Sequence, residues 1–260
     1  MFPFLVDIGD LQFRFSTLIF MILGLAVGAA VAGREYSQRG FNHQRRNQLY
    51  WALALPLTFL ISMFSAFAFS LGNWDIFENL ENSLSYGFSS FGAVLSVLFL
   101  GYIQSKLFKE PSAGKRLDFI SSILPLSLGI YRIGCLLNGC CYGEVTDGPF
   151  GVYLPDVHGV WAYRYPTQIL LMFFDFGLFF WLWQRRDKQP FDGKLTLSFL
   201  IIFGIGRFLI DGLRNLPAVL GSLSMLQLAS FCIFAIALYI AYEFRNEVKT
   251  ARVKTIQDVK

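Results

Sequence analysis

Residues 118–138 read DFISSILPLSLGIYRIGCLLN, with Asp118 at the start, Arg132 well inside and no other charge. Coiled as a helix at 1.5 Å per residue, such a run crosses the roughly 30 Å hydrocarbon core of a bilayer. Six more stretches share its length and character, at roughly 14–33, 49–72, 86–104, 167–184, 195–213 and 223–243. They are continuously apolar and do not alternate, which predicts helices and not barrel strands. The chain therefore reads as an all-α polytopic membrane protein with seven transmembrane helices in one integral domain, residues 1–260.

Composition agrees. Hydrophobic residues make up 55% of the 260 positions and charged residues 15%, against about a quarter charged in a soluble domain. An aromatic content of 17% and a net charge of +4 exclude a disordered chain. Four cysteines in this length exclude a small disulfide scaffold.

The loops carry an orientation signal. Arg34, Arg39, Arg45 and Arg46 follow the first span, Lys106, Lys109, Lys115 and Arg116 the third, and Arg185, Arg186, Lys188 and Lys194 the fifth. The tail adds Arg245, Lys249, Arg252, Lys254 and Lys260. The alternate loops carry Asp75, Glu78, Glu81, Glu144, Asp147 and Asp156, with Arg164 and Arg214 as exceptions. The positive-inside rule then predicts an outside amino terminus and a cytoplasmic carboxyl terminus. Asp7 and Asp10 ahead of the first span, where a signal peptide would be basic, argue against cleavage there. The positive excess is a topology signal, helped by anionic membrane lipid, and needs no nucleic-acid partner. Gly24 and Gly28 form a GxxxG pattern that predicts close helix packing. The long outer connection 139–166 is the natural place for a substrate-facing element.

Apart from the end residues Arg14, Asp118 and Glu243, four charges fall inside predicted spans: Arg132, Asp175, Arg207 and Asp211. Each costs about 2.5–3.5 kcal/mol at mid-membrane and calls for a partner or a function. Arg207 and Asp211 are four apart and can pair on one helix face, with Arg214 on the same face. Arg132 and Arg207 each lie about six residues from the predicted outer end of their span, about 9 Å below the surface. Two guanidinium groups at a common depth can grip a lipid phosphate, because the planar fork bonds its oxygens in pairs. The bland alternative is a structural Arg207–Asp211 bridge with Arg132 bonding helix carbonyls or snorkelling outward. Asp175 on its own is compatible with a polar cavity.

The fourth span runs into Tyr131-Arg132-Ile133-Gly134-Cys135-Leu136-Leu137-Asn138-Gly139-Cys140-Cys141-Tyr142-Gly143. Asn138-Gly139 is a helix stop, and Gly143 permits a further turn. This run resembles the pattern of prolipoprotein diacylglyceryl transferases, Gly-Arg-(Ile or Leu)-Gly-Asn-Phe-x-Asn-Gly-Glu-x-x-Gly, at Arg132, Gly134, Asn138, Gly139 and Gly143. Tyr131, Cys135 and Cys140 depart from it. In the same order, Arg164-Tyr165-Pro166-Thr167-Gln168 resembles the family's Arg-His-Pro-Ser-Gln segment, and Arg207 to Arg214 its Arg-x-x-x-Glu-x-x-Arg segment, with Asp211 for Glu. Leu223 to Leu228, with Gln227, resembles the start of its last helix.

The resemblance implies an enzyme that transfers diacylglyceryl from phosphatidylglycerol to the lipobox cysteine thiol of a prolipoprotein signal peptide, releasing glycerol 1-phosphate. It implies a multi-pass protein of the bacterial cytoplasmic (inner) membrane with its active site toward the periplasm, and no cofactor or metal. Arg132, Arg207 and Asp211 would be catalytic. Gly134, Asn138, Gly139, Gly143, Gln168 and Arg214 would bind substrate.

Departures bear on the proton acceptor. The family's third-span His falls on Phe91, one of its tyrosines near Ser16, another on Phe203, and the His of Arg-His-Pro-Ser-Gln on Tyr165. Of the two histidines, His43 lies in a predicted cytoplasmic loop and His158 in the outer connection, where it is the available imidazole. Two other readings stay open: a divergent paralogue binding anionic phospholipid with altered or no transferase activity, and a small-solute or proton transporter using Asp175 and Asp211. Cys140 and Cys141 can bind metal, form a disulfide or pack. Their Cys-x4-Cys-Cys spacing from Cys135 lacks the pattern and His partners of a zinc site, so packing is expected for them and for Cys135 and Cys232.

Overall fold

The computed structural model describes residues 5–8, 11–14, 16–36, 44–70, 89–109, 112–156, 159–188, 192–214 and 216–258. His43 and His158 lie outside the described residues, as do Asp75, Glu78 and Glu81. Within the described residues there are seven helices: α1 (Ser16–Tyr36), α2 (Gln44–Ser70), α3 (Ser90–Leu107), α4 (Ala113–Asn138), α5 (Thr167–Arg185), α6 (Lys194–Asp211) and α7 (Met225–Asp258). All but α6 are long and apolar enough to cross a membrane by length and composition, and Lys194, Arg207 and Asp211 are what set α6 apart. Large apolar side chains such as Ile22, Leu53, Phe64, Phe173 and Ile236 face outward, as lipid-solvated helices require.

The all-α expectation holds for the frame, with three two-stranded antiparallel hairpins added: β1 (Leu5–Ile8) with β2 (Leu11–Arg14), β3 (Val152–Pro155) with β4 (Trp161–Arg164), and β5 (Ala218–Leu220) with β6 (Leu223–Ser224). The first lies ahead of α1 and the other two occupy connections, where short segments close their own backbone hydrogen bonds. The last predicted span begins two residues late because Leu223 and Ser224 belong to β6, and α7 runs on through the basic tail.

Helix α4 is the hub, packed against α1, α3, α5 and α6. Ser112 caps its start by accepting the Lys115 amide. At its end Gly139 takes φ +71, and the amides of Gly139 and Cys140 turn back onto the carbonyls of Leu136 and Cys135. This is a Schellman motif, the stop that Asn138-Gly139 predicts. The GxxxG pattern sets the α1–α4 seam: a Cβ at Gly24 would lie 2.6 Å from the Ser127 carbonyl oxygen, and one at Gly28 would strike the Ser127 hydroxyl. The freed space lets Ser127 Oγ donate to Gly24 O at 2.9 Å. Between α3, α4, α5 and α6 lies the apolar core, centred on Phe91, Leu124, Leu178, Leu182, Phe199 and Phe203.

Candidate active site

The four charges inside predicted spans meet at the Asn138 end of this core. Arg132 lies six residues before the end of α4, about 9 Å along the axis. Arg207 lies four residues before the end of α6, about 6 Å, because α6 stops at Asp211 and not at the predicted 213. Arg132, Asp175, Arg207 and Asp211 are all 1–2% exposed. The two guanidinium groups feel each other's charge, and both act on Asp175. They therefore belong to one cluster and not to opposite flanks.

Arg207 Nη2 stands 2.9 Å from Asp211 Oδ2, and Arg214 Nη1 donates to Asp211 Oδ1 at 3.1 Å. The first contact follows from the four-residue spacing along α6, while Arg214 lies past the helix end, on a turn whose amide returns to Asp211 O at 3.2 Å, and not on the same helical face as expected. Arg132 Nε faces Asp175 Oδ2 of α5 across 3.7 Å, an ion contact too long for a hydrogen bond. This pairing was not legible in the sequence. The one available signal is that Asp175 lies two helical turns from Gln168, so both point to the same buried face of α5. The underside is aromatic. The Arg207 guanidinium lies 5.0 Å from the Phe91 ring centre, and Phe91 meets Phe203 edge to face at 5.6 Å. The positions that match the family's His and one of its tyrosines thus hold two phenyl rings, of which Phe91 offers Arg207 its π face and Phe203 packs against Phe91, and neither accepts a proton.

Many polar atoms of this cluster lack a hydrogen-bond partner: Arg132 Nε, Arg207 Nε and Nη1, Arg214 Nε, both Asp175 oxygens and Gln168 Oε1. A buried polar group left so costs about 1–3 kcal/mol. Counted against the two carboxylates alone, the three guanidinium groups leave one positive charge over. Such an arrangement can accept a compact anion with several acceptor oxygens.

The connection after α4 closes over this end. Thr167 Oγ1 donates to Cys141 O at 2.7 Å and Gln168 Nε2 to Cys140 O at 3.0 Å, so the start of α5 holds two successive peptide units. Cys141 adopts φ +60, uncommon outside glycine. Gly143 pairs with Arg214, the Glu144 amide bonds Leu213 O at 3.0 Å, and the Tyr165 amide bonds Glu144 O at 3.1 Å. A Cβ at Gly143 would strike the Tyr165 carbonyl. The β3–β4 hairpin completes the cover, its Arg164 buried against Asp156 at 3.0 Å and over the Tyr142 ring at 4.9 Å.

Of the residues anticipated to bind substrate, Gln168 holds the covering loop at Cys140 O, and Arg214 joins the cluster at Asp211. Asn138 ends α4 beside it, while Gly139 and Gly143 shape the covering loop. Gly134 lies instead at the α1 crossing, where a Cβ would come within 2.9 Å of the Ser16 carbonyl oxygen. Of the cysteines, Cys135 is buried as expected. Cys232 is exposed on α7, which corrects the expectation that it packs as a small hydrophobe against other side chains. Cys140 and Cys141 lie with Cys135 in one group, all three sulfurs within 4.8 Å of one another. Arg132 Nη1 is 3.9 Å from the sulfurs of Cys135 and Cys141. Hydrogen bonds from the Cys135 and Cys140 thiols, with Arg214 and Arg132 nearby, hold the Cys141 thiol well below the usual thiol range. Cys140, the donor, is pushed up by the same sharing of protons.

A family model described as prolipoprotein diacylglyceryl transferase matches residues 3–242. The phosphatidylglycerol–prolipoprotein diacylglyceryl transferase of Clostridium tetani is 35% identical over 164 residues, covering 62% of this chain and 63% of that protein. Phosphatidylglycerol–prolipoprotein diacylglyceryl transferase 2 of Clostridium perfringens is 31% identical over 223 residues, covering 82% of this chain and 83% of its own. The enzyme of that name from Aeromonas hydrophila is 25% identical over 273 residues, covering 96% of this chain and 95% of its own. Since the family match takes in the buried charges, the loop above them and the helices that carry both, the chain belongs to the prolipoprotein diacylglyceryl transferase family.

Proposed function

We propose that the protein transfers the diacylglyceryl group of phosphatidylglycerol to the lipobox cysteine thiol of a prolipoprotein. The acceptor sulfur bonds to the glyceryl carbon that carries the phosphate. The carbon–oxygen bond breaks toward the phosphate, and glycerol 1-phosphate leaves. The observation that carries this reading is the set of buried guanidinium N–H groups without acceptors at Arg132, Arg207 and Arg214. A phosphodiester supplies oxygens for them and one negative charge for the surplus positive one, and donors already in place stabilise the charge that grows as the bond breaks. In this reading Arg132 and Arg207 grip the phosphate and Asp211 orients Arg207. Asn138, Gln168 and Arg214 contact the headgroup, while Gly139 and Gly143 let the loop lie against it.

The lysine- and arginine-rich loops support a cytoplasmic carboxyl terminus, with the cluster opening toward the periplasmic side of the inner membrane and all seven helices spanning. Both partners, phosphatidylglycerol and a lipoprotein signal peptide, then reach the site from the outer leaflet. Asp175 and Asp211, on which a transport path would rest, are each engaged by arginine, which favours transfer over transport.

The test supplies purified protein with headgroup-labelled phosphatidylglycerol and a lipobox peptide. Labelled glycerol phosphate should be released with the cysteine peptide and not with its serine counterpart. Release that is indifferent to the peptide, or no release at all, would overturn the reading.

A further inference from the structure

The Schellman turn does more than end α4. By returning the Cys140 amide to the Cys135 carbonyl at 3.2 Å, it folds Cys140 back over Cys135, and the left-handed Cys141 brings a third sulfur to the same point. The backbone there is held from outside by Thr167 and Gln168. Three cysteines separated by four residues and by none thus become a triangle with sulfurs no more than 4.8 Å apart. With metal–sulfur bonds of about 2.3 Å, the sulfurs of one centre stand roughly 4 Å apart. Closing the difference needs only small side-chain rotations.

We propose that Cys135, Cys140 and Cys141 form a three-thiolate site for a thiophilic divalent ion of the zinc group, with the Arg132 guanidinium as its counter-ion. Sulfur ligands select such ions over magnesium or calcium. Three thiolates around a divalent ion carry one net negative charge, and Arg132 stands 3.9 Å from two of the sulfurs. Three protein ligands leave a fourth coordination position for water or an external thiolate. Binding releases whatever protons the three sulfurs still carry. Because the loaded site uses the one surplus positive charge of the arginine cluster, it excludes a phosphodiester. This exclusion, unlike the metal site itself, rests on the proposed transfer reaction.

The full chain, reduced with a phosphine and carrying Cys232→Ser to remove the thiol outside the triangle, is titrated with cadmium ion. A thiolate-to-metal absorption band should saturate at one ion per chain. Any one of Cys135→Ser, Cys140→Ser or Cys141→Ser should weaken binding by at least about 100-fold. Cys141→His should keep the ion with a smaller band, which separates loss of a ligand from loss of fold. No saturable one-to-one band, or a band that survives replacement of all three cysteines, overturns the site. In the labelled-lipid assay, cadmium should stop turnover and a chelator restore it. Full turnover at saturating cadmium overturns the exclusion. Protein that binds cadmium but never releases glycerol phosphate keeps the metal site and sinks the transfer reading instead.

Discussion

Asp118 and Arg132 lie on the same helix, one near each end, the first half-buried and the second buried. Around Asp118 both oxygens are taken. The Gly193 amide donates to Oδ2 at 2.8 Å, and the Thr196 amide and hydroxyl donate to Oδ1 at 2.7 and 2.8 Å. The carboxylate closes the open amides at the start of α6, where the helix dipole favours an anion. Around Arg132 the partners are incomplete: a carboxylate at 3.7 Å, two sulfurs at 3.9 Å, and an Nε without an acceptor. A buried charge whose bonds are complete is part of the scaffold. One whose bonds are left open at about 1–3 kcal/mol each is waiting for something else. What separates the two ends of α4 is this completeness: the anion at one end is fully bonded, and the cation at the other is not.

The sharpest way to break the contrast is Arg207→Lys. An ammonium keeps the charge but not the fork, and turnover of labelled phosphatidylglycerol should fall by about 100-fold or more, about 3 kcal/mol of transition-state stabilisation. Near-normal turnover would remove paired phosphate contacts from the account. Asp118→Ala should do the opposite. It should cost about 2 kcal/mol of stability through the uncapped α6 amides, read as a lower melting temperature in detergent, while turnover per folded molecule stays level. A catalytic defect without a stability defect would erase the distinction between the two ends. Gly139→Ala should cost about 1–2 kcal/mol, since it puts a side chain in the left-handed region and a Cβ 2.7 Å from the Asp156 carbonyl oxygen. A melting temperature unchanged by it would mean the loop yields freely. The smallest effect is chemical. With a chelator present, iodoacetamide should label Cys141 at neutral pH well ahead of Cys140, because a thiol held below the usual range keeps its thiolate as the pH falls toward neutrality. Equal rates would show that the sulfurs do not share their protons in this way.

What could be read from the sequence was what lies within one helix or one turn. The four-residue spacing gives Arg207–Asp211, Asn138-Gly139 gives the end of α4, and the GxxxG pattern gives a packing face. Partners on other helices could not be read. Ser127 as the neighbour of Gly24, and Asp175 as the neighbour of Arg132, depend on how α1 and α5 dock on α4, which no local pattern encodes. The thiol triangle escaped because its spacing is wrong for an extended or helical ligand set, and only the reversal of the chain at Gly139 brings the sulfurs together. The β3–β4 hairpin escaped because an apolar chain hides two four-residue strands among stronger helical signals.

Arg214 belongs to two structures at once. Its backbone is paired with Gly143 in the covering loop, and its side chain holds Asp211 in the buried cluster. The lid and the charges beneath it are therefore geared together. The same residue that anchors the covering loop thus anchors the buried carboxylate, and one substitution at Arg214 would loosen both.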